Sequence, residues 1–151
     1  MKYKGSCHCG KVRFEVEGDL NGAMSCNCSM CSRKGSLLWF VPRDQLHVLT
    51  SEENVGTYTF NKHVIKHRFC QTCGIHPYGE GTDPKGNQMA AVNIRCLEGI
   101  ELESVPVQHF DGRFVVARVR GEAACVETSE LYSTSNRLLP RRRSMRPRCS
   151  S

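Results

Sequence analysis

The sequence predicts a mainly β fold of small antiparallel sheets held together by metal, on three observations. Short segments of alternating polarity are separated by glycine and polar turns. No stretch up to Gly112 carries a sustained helical period. Ten cysteines in 151 residues far exceed ordinary usage, and seven of them fall in close pairs or a triplet. With 39% hydrophobic residues the chain has material for one modest core and no second full domain.

In chain order, Lys11 to Glu17 alternates polar and apolar, as a strand with one buried face does. Leu37 to Val41 is a continuous apolar run halted by Pro42. Thr57–Phe60 and Val64–Phe69 flank the polar Asn61-Lys62 turn, and Met89–Ile94 follows a loop rich in glycine and proline. Phe114–Val119 has the composition of one more strand. From Ser133 the chain is polar and ends in clustered arginines, a segment too poor in apolar surface to offset its ordering entropy and expected to be disordered. The expected division is therefore a zinc domain over residues 1–112 and an arginine-rich extension over 113–151.

Charge follows the same division. Residues 113–151 hold nine arginines against three glutamates, which accounts for the whole formal charge of +6, whereas residues 1–112 carry twelve basic and twelve acidic side chains. The neutral first part argues against a nucleic-acid surface on the sheets, leaving only the basic tail for nucleic acid or an acidic partner. The opening residues Met1 to Cys7 lack the basic stretch and apolar run of a secretory signal, and no apolar run approaches a membrane span. The expectation is a soluble cytoplasmic chain, in a reducing compartment where thiols stay free for metal.

The cysteines divide by spacing. Cys7 and Cys9 sit at i and i+2, which an extended segment places on one face. Cys70-x-x-Cys73-Gly74 has the spacing of a zinc knuckle, with a glycine free to take positive φ. Together they make a closed four-thiolate set, and a structural zinc of this kind supplies roughly 10–16 kcal/mol of apparent folding free energy. Cys26, Cys28 and Cys31 offer three thiolates and one open position, the layout of a catalytic zinc. Three thiolates overcompensate the dication, so this site is expected to acidify water poorly yet accept a substrate thiolate, with Arg33 or Lys34 offsetting the charge.

Gly5-Ser6-Cys7-His8-Cys9-Gly10, Cys26-x-Cys28-x-x-Cys31, Phe69-Cys70-x-x-Cys73-Gly74, and Val92-Asn93-Ile94-Arg95-Cys96-Leu97 followed by Phe110-Asp111-Gly112 together resemble the glutathione-dependent formaldehyde-activating enzyme and centromere protein V family. The resemblance covers essentially residues 1–112. It implies a β-tent fold and the same partition of zinc ligands, with structural zinc on Cys7, Cys9, Cys70 and Cys73 and catalytic-type zinc on Cys26, Cys28 and Cys31. It also implies carbon–sulfur lyase chemistry, the addition of glutathione or a similar thiol to formaldehyde or another small aldehyde. A non-catalytic zinc-binding interaction module of the centromere protein V type is the alternative.

Among the other candidates, His76 follows the knuckle and is assigned to the open site as fourth ligand, proton acceptor or substrate contact. As a fourth ligand it would make both clusters structural. Asn93 and Arg95 are expected on one strand face, where Arg95 would bind a substrate carboxylate. Trp39 and Phe40 read as core before pocket wall. His8, His47, His63, His67 and His109 show no metal spacing, and Cys96, Cys125 and Cys149 read as isolated thiols.

Overall fold

The structure, a computed structural model, describes residues 1–113; the expected strand at 114–119, Cys125, Cys149 and the arginine-rich extension lie outside the described residues. Ten strands are present there: β1 Lys2–Ser6, β2 Arg13–Glu17, β3 Ala23–Cys26, β4 Leu37–Pro42, β5 Leu46–Val48, β6 Val55–Tyr58, β7 Lys66–Cys70, β8 Tyr78–Thr82, β9 Gln88–Asn93 and β10 Val107–Phe110. The one α-helix among the described residues, α1, is the single turn Cys31–Lys34. No helix among them is long and apolar enough to cross a membrane.

The strands form a three-stranded sheet in the order β1-β2-β5 and a seven-stranded sheet in the order β10-β3-β4-β9-β8-β7-β6. The expected mainly β class is what the chain adopts. One pairing departs from the antiparallel expectation: β10 runs parallel to β3, with Phe110 opposite Cys26. A parallel partner needs a long crossover, and here most of the domain lies between the two strands. Sequence alternation cannot reveal that return.

The two sheets bury their facing residues against each other. Val12, Phe14 and Val16 on the smaller sheet meet Trp39, Val41, Tyr78, Ala90 and Val92 on the larger. Phe14 and Tyr78 touch edge to face with centroids 5.9 Å apart, as do Tyr3 and Trp39 at 5.5 Å. Trp39 is core as expected; Phe40 alternates outward and is 46% exposed. Pro42 closes β4 as its last paired residue, opposite Met89. Gly5 is required where it stands, because a Cβ there would run into the Phe14 ring.

On β8, Glu80 accepts from Arg43 Nε at 2.5 Å and from Arg68 Nε at 2.7 Å, and the side chains of Glu80 and Arg68 are only 14% and 13% exposed. Burial pushes the Glu80 carboxyl up, but Arg68 and then Arg43 outweigh it and hold it below the ordinary glutamate range. Glu80→Gln leaves the Arg68 guanidinium only one carboxylate among the described residues, the exposed Glu52 at 3.2 Å, and is expected to cost about 1–3 kcal/mol, read by urea unfolding at pH 7. Because the folded carboxyl titrates below the unfolded one, the wild-type advantage is complete above the unfolded value. It shrinks as the pH falls through the lower, folded one.

Candidate functional site

Cys7 and Cys9 are not extended, as their spacing suggested. They occupy a turn after β1, closed by Gly10 N–H donating to Cys7 O at 3.0 Å. The turn nevertheless delivers both sulfurs to one point. Cys9 Sγ lies 3.6 Å from Cys7 Sγ and 3.6 Å from Cys70 Sγ. Cys70 ends β7, and the knuckle turns back through Gly74 at φ 73°, whose N–H donates to Cys70 O at 2.9 Å. All four sulfurs of Cys7, Cys9, Cys70 and Cys73 lie within 4.8 Å of one another, as free thiols. A tetrahedron with Zn–S bonds of about 2.3 Å has S···S edges of about 3.8 Å, so the donor set fits zinc without rearrangement.

The second cluster is assembled differently. Cys26 is the last residue of β3, Cys28 lies in the following turn and Cys31 opens α1. Cys28 N–H donates to Cys26 Sγ and Cys31 N–H to Cys28 Sγ, each at 3.4 Å. Backbone donors aimed at sulfur favour thiolates. The three sulfurs also lie within 4.8 Å of one another, and no histidine or carboxylate joins them among the described residues. Burial and the neighbouring Cys28 and Cys26 push the Cys31 thiol up to about 12, so the triplet resists full ionisation until a cation is present. Three soft donors so placed suit zinc with one position left over.

The parallel strand β10 supplies the cover. Gly112 N–H donates to Asn27 Oδ1 at 2.8 Å, and a Cβ on Gly112 would meet Cys26 Sγ at 2.7 Å. The Phe110-Asp111-Gly112 motif is thus explained by close backbone approach to the triplet.

Residues 2–110 match the family described as glutathione-dependent formaldehyde-activating enzyme. The chain belongs to this family. A solved crystal structure of a Rhodobacter sphaeroides protein is similar, with a TM-score of 0.61 and 35% sequence identity over 70% of this chain and 99% of that one. The expected membership is therefore shown, and the chain carries two cysteine clusters that could each hold a metal ion.

A cavity of about 540 Å³ is walled by residues that adjoin both cysteine turns, among them Arg33, Lys34, Tyr58, Phe69, His76 and Asn93. Each metal-type turn contributes a wall: α1 runs on from Cys31, and Gly74 to His76 run on from Cys73. His76, expected to face the open site, lines this cavity and is not among the grouped ligands of the cysteine triplet. Its ring packs on Phe69 at 5.4 Å and its Nδ1 is buried without a partner among the described residues. Burial, then Lys34, pushes its pKa down to about 4, so it is neutral at pH 7. Asn93 fixes it by donating Nδ2–H to His76 O at 3.2 Å.

Arg95 is placed elsewhere. β9 stops at Asn93 and a 3₁₀ turn follows, capped by Asn93 Oδ1 accepting Arg95 N–H, so Asn93 points inward and Arg95 outward. Arg95 Nε donates to Gly35 O at 3.1 Å, and the residue is exposed and absent from the cavity wall. The shared-face expectation fails because the strand ends at Asn93, two residues before Arg95.

His67, read from sequence as an ordinary histidine, is the residue that reading missed. It accepts from Lys34 Nζ at 3.2 Å. The available signal was strand alternation, which puts His67 on the same face of β7 as Phe69. Arg33 remains exposed, with one guanidinium N–H on Ser29 O at 2.5 Å.

Proposed function

We propose that this chain adds a low-molecular-weight thiol, glutathione or a close relative, to a small aldehyde such as formaldehyde, a carbon–sulfur lyase-type reaction carried by residues 1–112. The observation that carries the reading is a cavity walled by residues adjoining both a closed four-cysteine set and an open three-cysteine set, in a chain of the glutathione-dependent formaldehyde-activating family. Cys7, Cys9, Cys70 and Cys73 would hold a structural zinc, and Cys26, Cys28 and Cys31 the catalytic-type zinc. Bound there, zinc supplies a Lewis-acid position that lowers the pKa of a substrate thiol.

The protein's own part is modest and consists of orientation and proton handling. The thiol sulfur forms a bond to the carbonyl carbon, the carbonyl π pair moves to oxygen, and the thiol proton ends on that oxygen. His76 is placed to carry this proton, since its Nδ1 has no partner among the described residues and Asn93 fixes its backbone. Phe69 and Tyr58 give the same space an aromatic wall.

The test is acceleration of thiol–aldehyde exchange, followed by magnetisation-transfer NMR on zinc-loaded full-length chain with glutathione and formaldehyde. Exchange faster than the spontaneous rate is expected, and His76→Phe should lower the enzymatic part by about 10²-fold. No acceleration with glutathione or any other small thiol would refute the reaction.

A further inference from the structure

We propose that Lys34 anchors a carboxylate on the thiol substrate and that His67 is the positioning residue that holds the Lys34 ammonium at the cavity wall. This rests on the reading that the cavity receives a thiol. It narrows the substrate to thiols that carry a carboxylate.

Lys34 is half-buried and lines the cavity, yet no aspartate or glutamate among the described residues lies within ion-pair distance of it. A half-buried ammonium without a carboxylate is costly unless an anion arrives. An ammonium has three donors, and the only side-chain partner of this one among the described residues is His67 Nδ1, at 3.2 Å. Two N–H groups are therefore available to a ligand, which suits the two oxygens of a carboxylate.

His67 is built as a fixed post. Since an ammonium can only donate, Nδ1 must accept and the ring proton sits on Nε2, which is buried without a partner among the described residues. The imidazole stacks on Phe60 with centroids 5.3 Å apart and lies 6.3 Å from Tyr58. Burial, Lys34 and His76 push its pKa down to about 4, so at neutral pH it receives the ammonium without repelling it.

Charge agrees with an anionic ligand. Three thiolates on a zinc dication would leave one negative charge, whereas Lys34 and the exposed Arg33 together supply two positive ones, so one positive charge remains for a carboxylate. Lys34 follows Cys31 by three residues on α1, which puts the two side chains at neighbouring positions of one helical turn.

The test compares 3-mercaptopropionate with its methyl ester by isothermal titration into zinc-loaded full-length chain, with zinc content measured for every sample. Wild type should bind the acid at least tenfold more tightly. Lys34→Met should erase that preference while ester affinity stays within about twofold. His67→Phe should reduce the preference severalfold, and His67→Gln, whose amide oxygen can accept from Lys34, should restore part of it. Equal affinity for acid and ester in wild type would overturn the carboxylate anchor and leave the thiol site standing. Binding of neither would overturn both. A preference that survives Lys34→Met, or one untouched by His67→Phe, would overturn the assignment of that residue.

Discussion

Cys70→Ser is expected to leave the full-length chain without a cooperative thermal transition. Cys70 is fully buried at the end of β7, next to β6 and the knuckle, and its sulfur lies 3.6 Å from that of Cys9, sixty-one residues earlier. The cluster therefore ties the turn after β1, in the smaller sheet, to β7 in the larger one. Net stability of a domain this size is about 5–15 kcal/mol, and a four-thiolate zinc contributes an amount of the same order or greater. A serine hydroxyl at that position is a poor zinc ligand and buries a polar group as well. Circular dichroism melts should show a sharp transition for wild type and a broad, featureless decline for Cys70→Ser. A strong chelator added to wild type should reproduce that decline. A sharp melt within a few degrees of wild type, in either case, would show that the four cysteines are not what holds the two sheets together.

The cysteine partition was legible in the sequence because ligand spacing is a local property. Three thiols within six residues must cluster whatever the rest of the fold does, and Cys70-x-x-Cys73-Gly74 encodes its own turn. Cys7 and Cys9 were paired correctly, although by a turn in place of the extended segment assumed for them. The strands containing Phe14, Trp39 and Val92 were legible for a similar reason, since alternation is written along one strand. What sequence could not show are the pairings that bring distant segments together. The parallel return of β10 onto β3 depends on a crossover with no periodic signature, so the fit of Gly112 over Cys26 was invisible until the strands were placed. The Lys34–His67 contact bridges thirty-three residues and joins two side chains that are each unremarkable in their own segment. Arg95 misled because the Val92-Asn93-Ile94-Arg95 run continues the strand pattern by composition, while the backbone leaves β9 at Asn93.

The opposite behaviour is expected of Cys28→Ala: loss of thiol–aldehyde addition with the fold retained. Cys28 is the buried member of the triplet, receiving the Cys31 N–H on its sulfur, and two remaining thiols do not make a stable zinc site. Zinc per chain should fall from two ions to one, and the enzymatic exchange rate should drop by at least 10²-fold. The fold should survive because Cys26 to Cys31 closes only a short loop, whereas Cys9 to Cys70 closes one more than ten times longer. Loop-closure entropy alone makes the longer tie worth roughly 2 kcal/mol more, and α1 and β3 keep the backbone hydrogen bonds that shape the triplet's turn. Cys28→Ala should therefore melt within a few degrees of wild type while binding neither glutathione nor 3-mercaptopropionate in titration calorimetry. Undiminished exchange with one zinc per chain would mean that the open site is not where the thiol reacts. The chemistry would then have to lie with His76 and the cavity wall alone.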